Sequence, residues 1–284
     1  MLELFELELL GGSTLRRYRQ LRPEVEALPW GTLDTSGSSP AVLAAARRAW
    51  TGAAFQEFRT GAACAATLQA LIEARAPLDL IALASRFPLD EMVHVEMCAR
   101  LAAELGGGVE LAYDPSTLVP PLGEGSTPLV RAAHLVVGFF CVGESLSIPL
   151  LNGTAKAAQQ PLVKQVLRRI VLDEADHGTF GWAFLDWASP FLSDDDRAAL
   201  GHTADRFIAS VRKTWEGLRA QQSSSTDEAH ALGWLGTDDY LALARRSLHR
   251  QVIAPLEARR IPLSGAPLGD GITLAPGIAP PLGR

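Results

Sequence analysis

The pattern Asp-Glu-x-x-His occurs twice in this chain, as Asp90-Glu91-Met92-Val93-His94 and Asp173-Glu174-Ala175-Asp176-His177, 83 positions apart in segments that both read as helix. Residues three apart on an α-helix share a face, so each copy offers one carboxylate and one imidazole to the same point in space. Two copies on helices of one core predict a dinuclear metal site. A single copy is common on solvated helix faces; the duplication is what constrains the chain.

The rest of the sequence supports a helical core large enough to bury such a site. Of 284 residues 48% are hydrophobic, with no low-complexity block, which suits one large core or a core with a small appendage. A net charge of −6 and the absence of a Lys/Arg stripe argue against a nucleic-acid partner. The acidic start Met1-Leu2-Glu3-Leu4-Phe5-Glu6 lacks the features of a signal peptide, so a cytoplasmic protein is expected. Cys64, Cys98 and Cys141 form no C-x-x-C pair and read as buried thiols. Residues 132–151 are apolar over about the length of a bilayer span, but they contain Glu144 and His134 and lack an aromatic belt. A core helix is expected there, and no membrane partner.

Helix signals divide the chain. Ser38-Ser39-Pro40 is a hydroxyl cap followed by proline at the first helical position, opening a helix to about residue 75. A second helix runs over about 78–105, ended by Gly106-Gly107-Gly108, with Pro88 marking a kink or a restart before the first motif. The Pro-rich stretch 109–125 reads as a crossover, followed by helices over about 126–157 and 161–188. Further helices are expected over about 193–222 and 237–256, separated by a polar break at 221–227. The predicted organisation is therefore all-α: an N-terminal arm (1–37), a four-helix bundle (38–190), additional C-terminal helices packed on it (191–260) and an irregular tail (261–284).

Register selects the partners of the two motifs. Glu144 lies about twelve residues before the end of its helix and Glu174 thirteen after Pro161, so in a tight antiparallel hairpin they stand level at ~1.5 Å rise per residue. Glu144 sits in an apolar stripe of Val137, Phe140, Cys141 and Ile148, where a carboxylate needs a metal, a proton or a cation. In the first hairpin Glu57, among Ala53, Ala54, Gly61 and Cys64, stands nearer the level of Glu91 than Glu73 does. His134, His202, His230 and His249 lack such a context and read as surface or core histidines. Phe58, Phe87, Phe139, Phe140, Trp182 and Trp187 read as packing residues, some of which could wall a pocket.

One glutamate from each of two helices and a Glu-x-x-His from each of the other two, namely Glu57, Glu91 with His94, Glu144, and Glu174 with His177, resemble the ferritin-like di-iron carboxylate proteins over about residues 40–190. The resemblance rests on ligand types, order and spacing. It implies a ferritin-like four-helix bundle and a site for two iron ions, with a manganese–iron pair also accommodated by the oxygen-rich donor set. It further implies that Asp90 accepts from His177 and Asp173 from His94, fixing each ring, and it gives Asp176 no role beyond a solvated or salt-bridged one. The implied activity is O2-dependent oxidation of a small organic substrate, with an external electron donor because no flavin or nicotinamide fingerprint is present; a homodimer is allowed.

Departures from particular branches narrow that expectation. Cys98 stands where small subunits of ribonucleotide reductase resemble one another in carrying a tyrosine, which disfavours radical generation. Ile148 stands where bacterial multicomponent monooxygenases carry a threonine, and Ile170 where arylamine N-oxygenases carry an additional histidine. The C-x-x-C site of rubrerythrins is missing, and cage ferritins are shorter chains. A ferroxidase without organic substrate is the alternative, and a helical scaffold with a structural site is a third reading.

Overall fold

An alanine-rich run that starts at a capped proline forms the first long helix. Ser39 Oγ accepts from Val42 N at 3.4 Å ahead of α3 (Pro40–Glu73), and Pro40 occupies the first position, where its missing N–H is no loss. Before it lie a short strand β1 (Glu3–Leu4) and helices α1 (Gly12–Gln20) and α2 (Pro23–Glu26). The structure is a computed structural model describing residues 2–123, 125–220 and 230–264. The end of the helix expected to reach residue 222, the polar break at 221–227 and the tail from 265 onward lie outside the described residues.

After a four-residue turn, α4 (Leu78–Glu104) runs back against α3. Arg75 adopts φ 54° in that turn, the left-handed conformation that lets Ala76 N reach back to Leu71 O at 3.0 Å and close the helix end. Pro88 interrupts one backbone hydrogen bond but neither ends nor restarts α4. The crossover carries the two-residue strand β2 (Ala112–Tyr113), paired antiparallel with β1, so Glu3 lies opposite Tyr113. Then α5 (Pro128–Ala157) and α6 (Pro161–Ala188) form a second hairpin that packs on the first, with α5 against α3 and α6 against α4. Helix α7 (Asp194–Ala220) begins with Asp194, Asp195 and Asp196, which suit the positive end of its dipole. Helix α8 (237–258) completes the described fold and packs on α5. The protein is all-α, with the β1–β2 pair the one departure among the described residues.

Helix α5 is not the regular α-helix the spacing predicts. Residues Val136–Glu144 are π-helical, with Ser145 N bonding back to Phe140 O. The expected stripe is buried at Val137, Phe140 and Cys141; Phe140 joins Phe87 and Phe180, with centroids 5.6 and 5.0 Å away, while Ile148 lies over Gly178. Such ring pairs contribute about 0.5–1.5 kcal/mol each beyond their burial. A second π-helical stretch, Leu248–Ile253, interrupts α8. Helix α5 is long and apolar enough to cross a bilayer, and it is mostly buried inside the protein.

The N-terminal segment, weakly patterned in sequence, is tied to the bundle. Val25 is buried in the same cluster as Trp50 and Met97, and the buried Arg22 bonds Glu26 at 2.8 Å and Glu96 at 2.6 Å. The apolar interior forms two clusters, one around Trp50, Met97, Val163 and Trp234, the other around Phe87, Phe140, Phe184 and Phe207. On α3, α4 and α6 the candidate ligands fall where the helix passes from one cluster to the other: Glu57 between Ala54 and Ala63, Glu91 between Phe87 and Val93, Glu174 between Ile170 and Phe180.

Candidate metal centre

Six side chains from four helices converge at that junction. The donor atoms of Glu57, Glu91, His94 and Glu174 lie within 4.8 Å of one another, and so do those of Glu91, Glu144, Glu174 and His177. The two sets share Glu91 and Glu174, and the oxygens of these two residues divide between the histidines. His94 Nδ1 is 3.6 Å from Glu91 Oε2 and 3.3 Å from Glu174 Oε1. His177 Nδ1 is 3.1 Å from Glu91 Oε1 and 3.0 Å from Glu174 Oε2. Glu57 Oε2 adds a further oxygen 3.8 Å from His94 Nδ1, and Glu144 completes the other set. All are buried except Glu57, whose side chain is 14% exposed at the edge of a cavity.

Several of the polar atoms that face each other here make no well-directed hydrogen bond. Both oxygens of Glu91, Glu174 Oε2 and the Nδ1 atoms of His94 and His177 are buried without a partner among the described residues. Buried donors and acceptors are ordinarily satisfied, so a cluster of orphaned oxygens and nitrogens around two centres fits cations between them. Four carboxylates carry the charge that two divalent ions would balance, and oxygen with imidazole donors suits iron or manganese. The structure thus holds buried Glu/His groups able to take metal.

Without a cation, protons hold the cluster together. Burial pushes Glu57 up to about 8, helped by Glu91 and Glu174 against the pull of His94. Burial also raises Glu144 well above the usual carboxylate range, as do the neighbouring Glu174 and Glu91. For His94 burial disfavours the charge, but Asp173, Glu174, Glu57 and Glu91 outweigh it and the pKa is raised well above normal. His177 is raised likewise, by Asp90, Glu174 and Glu91 against burial. Glu174 is lowered: burial opposes ionisation, and the two imidazoles beside it prevail.

Behind each ring stands an aspartate. Asp173 Oδ2 lies 3.3 Å from His94 Nε2, and Asp90 Oδ2 lies 3.7 Å from His177 Nε2, beyond hydrogen-bond length. Two arginines, not singled out from sequence, hold these aspartates from outside. Arg86 Nε is 3.1 Å from Asp90 Oδ2 and its Nη2 is 3.8 Å from Asp173, while Arg169 Nη2 is 2.7 Å from Asp173 and 3.1 Å from Glu24 of α2. The signal was within the repeat, whose shared frame is longer than five residues: Arg86-Phe-Pro-Leu-Asp90-Glu91 and Arg169-Ile-Val-Leu-Asp173-Glu174. Asp176 is exposed and 3.7 Å from Arg86 Nη1, the salt-bridged role expected of it.

The remaining expected residues lie apart from the cluster or serve packing. His134 is buried against Thr203 Oγ1 at 2.7 Å, and His202 and His249 are exposed. The three cysteines are free and buried. Of the aromatics expected from sequence, Phe139 lines the cavity beside Glu57, Glu144 and Glu174; Phe58 packs on Phe5, Trp182 donates to Ser145 Oγ, and Trp187 lies against Phe184. Trp215 of α7 and Tyr240 of α8, which do line it, carry no spacing signal that singles them out from other buried positions of amphipathic helices. Ser147, one turn after Glu144, donates to Glu144 Oε2 at 3.0 Å. Close approach of α6 to α5 depends on Gly181, where a Cβ would meet Cys141 Sγ and Phe140 Cβ at 2.9 Å and Cys141 N at 3.1 Å. Compared with protein-family models, curated proteins and solved structures, the chain matches none of them.

Proposed function

We propose that this protein is an O2-dependent di-iron oxidoreductase with a ferritin-like bundle at residues 38–190, oxidising a small organic substrate with electrons from an external donor. The observation that carries the reading is the division of Glu91 and Glu174 oxygens between His94 and His177, which makes two adjoining ligand sets with two shared carboxylates. Two irons held by Glu57, Glu91, His94, Glu144, Glu174 and His177 would supply the redox chemistry toward O2. The protein residues do the rest. Glu57 and Glu144 complete the two sets on the cavity side, Asp173 orients the His94 ring while Asp90 stands behind His177, and the arginines hold the aspartates. Phe87, whose ring centre is 4.2 Å from that of His177, and the π-helical wall of α5 keep bulk water from the shared carboxylates.

The cavity favours an oxygenase over a ferroxidase, because Val211 and Trp215 of α7 and Tyr240 of α8 close over a space beside Glu57, Glu144 and Glu174 in which a small organic molecule can lie. Anaerobic loading with Fe(II) followed by oxygen uptake tests the reading. Two irons per chain and uptake that rises with an organic substrate are expected; Fe(II) oxidation with continued mineral uptake would establish the ferroxidase, and no oxygen reactivity would establish a structural site. Glu144→Ala or Glu174→Ala lowers metal content under the proposal, and unchanged content contradicts it.

A further inference from the structure

Trp215 of α7 borders two cavities of opposite character. Itself 8% exposed, it lines the cavity of about 100 Å³ that Glu57, Glu144 and Glu174 also line. It lines as well an open groove of about 430 Å³ where α7 meets α8. The groove is basic: Arg212, Arg245 and His249 line it, against the single carboxylate of Glu216. Arg212 is half-buried, Arg245 is exposed, and neither makes an ion pair among the described residues. The charge continues past the rim. Residues 206–215 and 240–256 contain no Asp or Glu, and the exposed Lys213, Arg246 and Arg250 adjoin Arg212, Arg245 and His249 in sequence. In a chain of net charge −6 this face reverses the overall sign, and such a field steers an anionic partner toward it.

The inner cavity decides what kind of partner that is. A small anion that passed Trp215 would meet the carboxylates of Glu57, Glu144 and Glu174, so the positive face serves a partner that stays outside. None of the large apolar side chains exposed among the described residues lies on α7 or α8, so the face has no anchor for a lipid surface. An acidic protein surface remains, and an electron is what it can pass across Trp215 without entering.

We propose that the α7–α8 groove is the docking site of an acidic one-electron carrier protein, whose carboxylates meet Arg212 and Arg245 and whose redox group comes to the outer side of Trp215. The inference deepens the oxygenase reading and rests on it for the claim that the partner delivers electrons. Each encounter moves one electron: the carrier is oxidised by one equivalent, one ferric ion at the cluster is reduced to ferrous, and no covalent bond is made or broken. Redox encounters bury less than about 1,200 Å² in total, a scale that one groove with a charged rim matches.

Calorimetric titration of the full-length chain with a plant-type [2Fe–2S] ferredoxin, an acidic one-electron carrier, tests this at low and at physiological salt. Saturable binding is expected, weakened about tenfold or more by the salt, because screening cuts the reach of the field to about 8 Å. Arg212→Glu with Arg245→Glu should weaken binding at low salt by about tenfold or more, whereas Arg16→Glu with Arg17→Glu, the same charge change at exposed positions of α1, should leave it unchanged. In single turnovers of the Fe(III)-loaded protein, the second-order rate of reduction by ferredoxin should fall by the same factor in the first double variant, and reduction by methyl viologen should not. No saturable binding, indifference to salt, or equal losses from the two double variants overturns the proposal. So does binding of a DNA duplex or of phosphatidylserine vesicles that depends as strongly on Arg212 and Arg245, which would make the face a general polyanion or lipid surface. Iron content separates the two claims: a chain that takes up no iron defeats the oxygenase reading, while docking, which needs no metal, is still scored.

Discussion

Replacing Glu57 by glutamine should stabilise the metal-free protein and weaken the metal-loaded one, a reversal of sign that packing alone does not produce. Glu57 is pushed from 4.5 to about 8 in the folded chain, by burial first and then by Glu91 and Glu174. A folded-state pKa above the unfolded one means that the folded chain keeps a proton the unfolded chain releases, so metal-free stability falls as pH rises from 4.5 toward about 8. Each pH unit in that window costs about 1.4 kcal/mol, so the accumulated penalty at pH 7 is about 3 kcal/mol. Glutamine keeps the shape and does not titrate. The stripped variant should therefore melt about 6–12 °C above wild type at pH 7 and level with it at pH 4. Saturation of one site at a hundred times its Kd adds about 2.7 kcal/mol, and the variant, short of one anionic oxygen in the His94 set, should lose most of that increment for one of the two ions. Calorimetry in EDTA and in Mn(II) reads both effects. A stripped variant that melts below wild type, or equal gains from Mn(II), would refute the reasoning.

Three other outcomes follow from the same geometry. Mn(II) binding near pH 7 should release protons, because His94, His177 and Glu144 are all held protonated in the empty cluster; a pH-stat titration showing none would contradict that picture. Asp173→Asn should weaken Mn(II) binding about 10–100-fold by equilibrium dialysis, since Asp173 is the acceptor behind His94 Nε2, and unchanged affinity would remove its orienting role. Gly181→Ala forces a methyl against the backbone of α5 at Cys141 and should cost about 1–3 kcal/mol. Gly217→Ala in α7, with nothing within 4 Å of the added carbon, should instead gain up to about 1 kcal/mol, and the opposite order in thermal melts would count against the close α5–α6 contact.

What the sequence made legible was what depends on helical period and register. Helices α3, α4 and α6 have the expected lengths and α3 the expected Ser39 cap, and two antiparallel hairpins brought to the same level place Glu57 beside Glu91 and Glu144 beside Glu174. What it concealed depends on departures from that period or on long-range pairing. A π-helical stretch adds no residue type that marks it, so the spacing around Glu144 predicts a regular α-helix where the structure widens the turn. The N-terminal segment shows no long repeating pattern because its attachments are scattered: Phe5 and Val25 pack on the core, while Arg22, Tyr18 and Glu24 attach through polar groups. Tyr18 Oη donates to Met92 O at 3.2 Å, and Glu24 meets Arg169. Arg86 and Arg169 were readable as i,i+4 partners of Asp90 and Asp173, had the repeat been extended upstream.

The central claim is that the two shared carboxylates hold a pair of ions. Equilibrium dialysis of the full chain against Mn(II), followed by electron paramagnetic resonance of the loaded protein, tests it most directly. Two ions per chain with the spectrum of an exchange-coupled pair, metals about 3.5–4 Å apart, are expected. A single ion, or two that give only the six-line signal of isolated Mn(II), would contradict it.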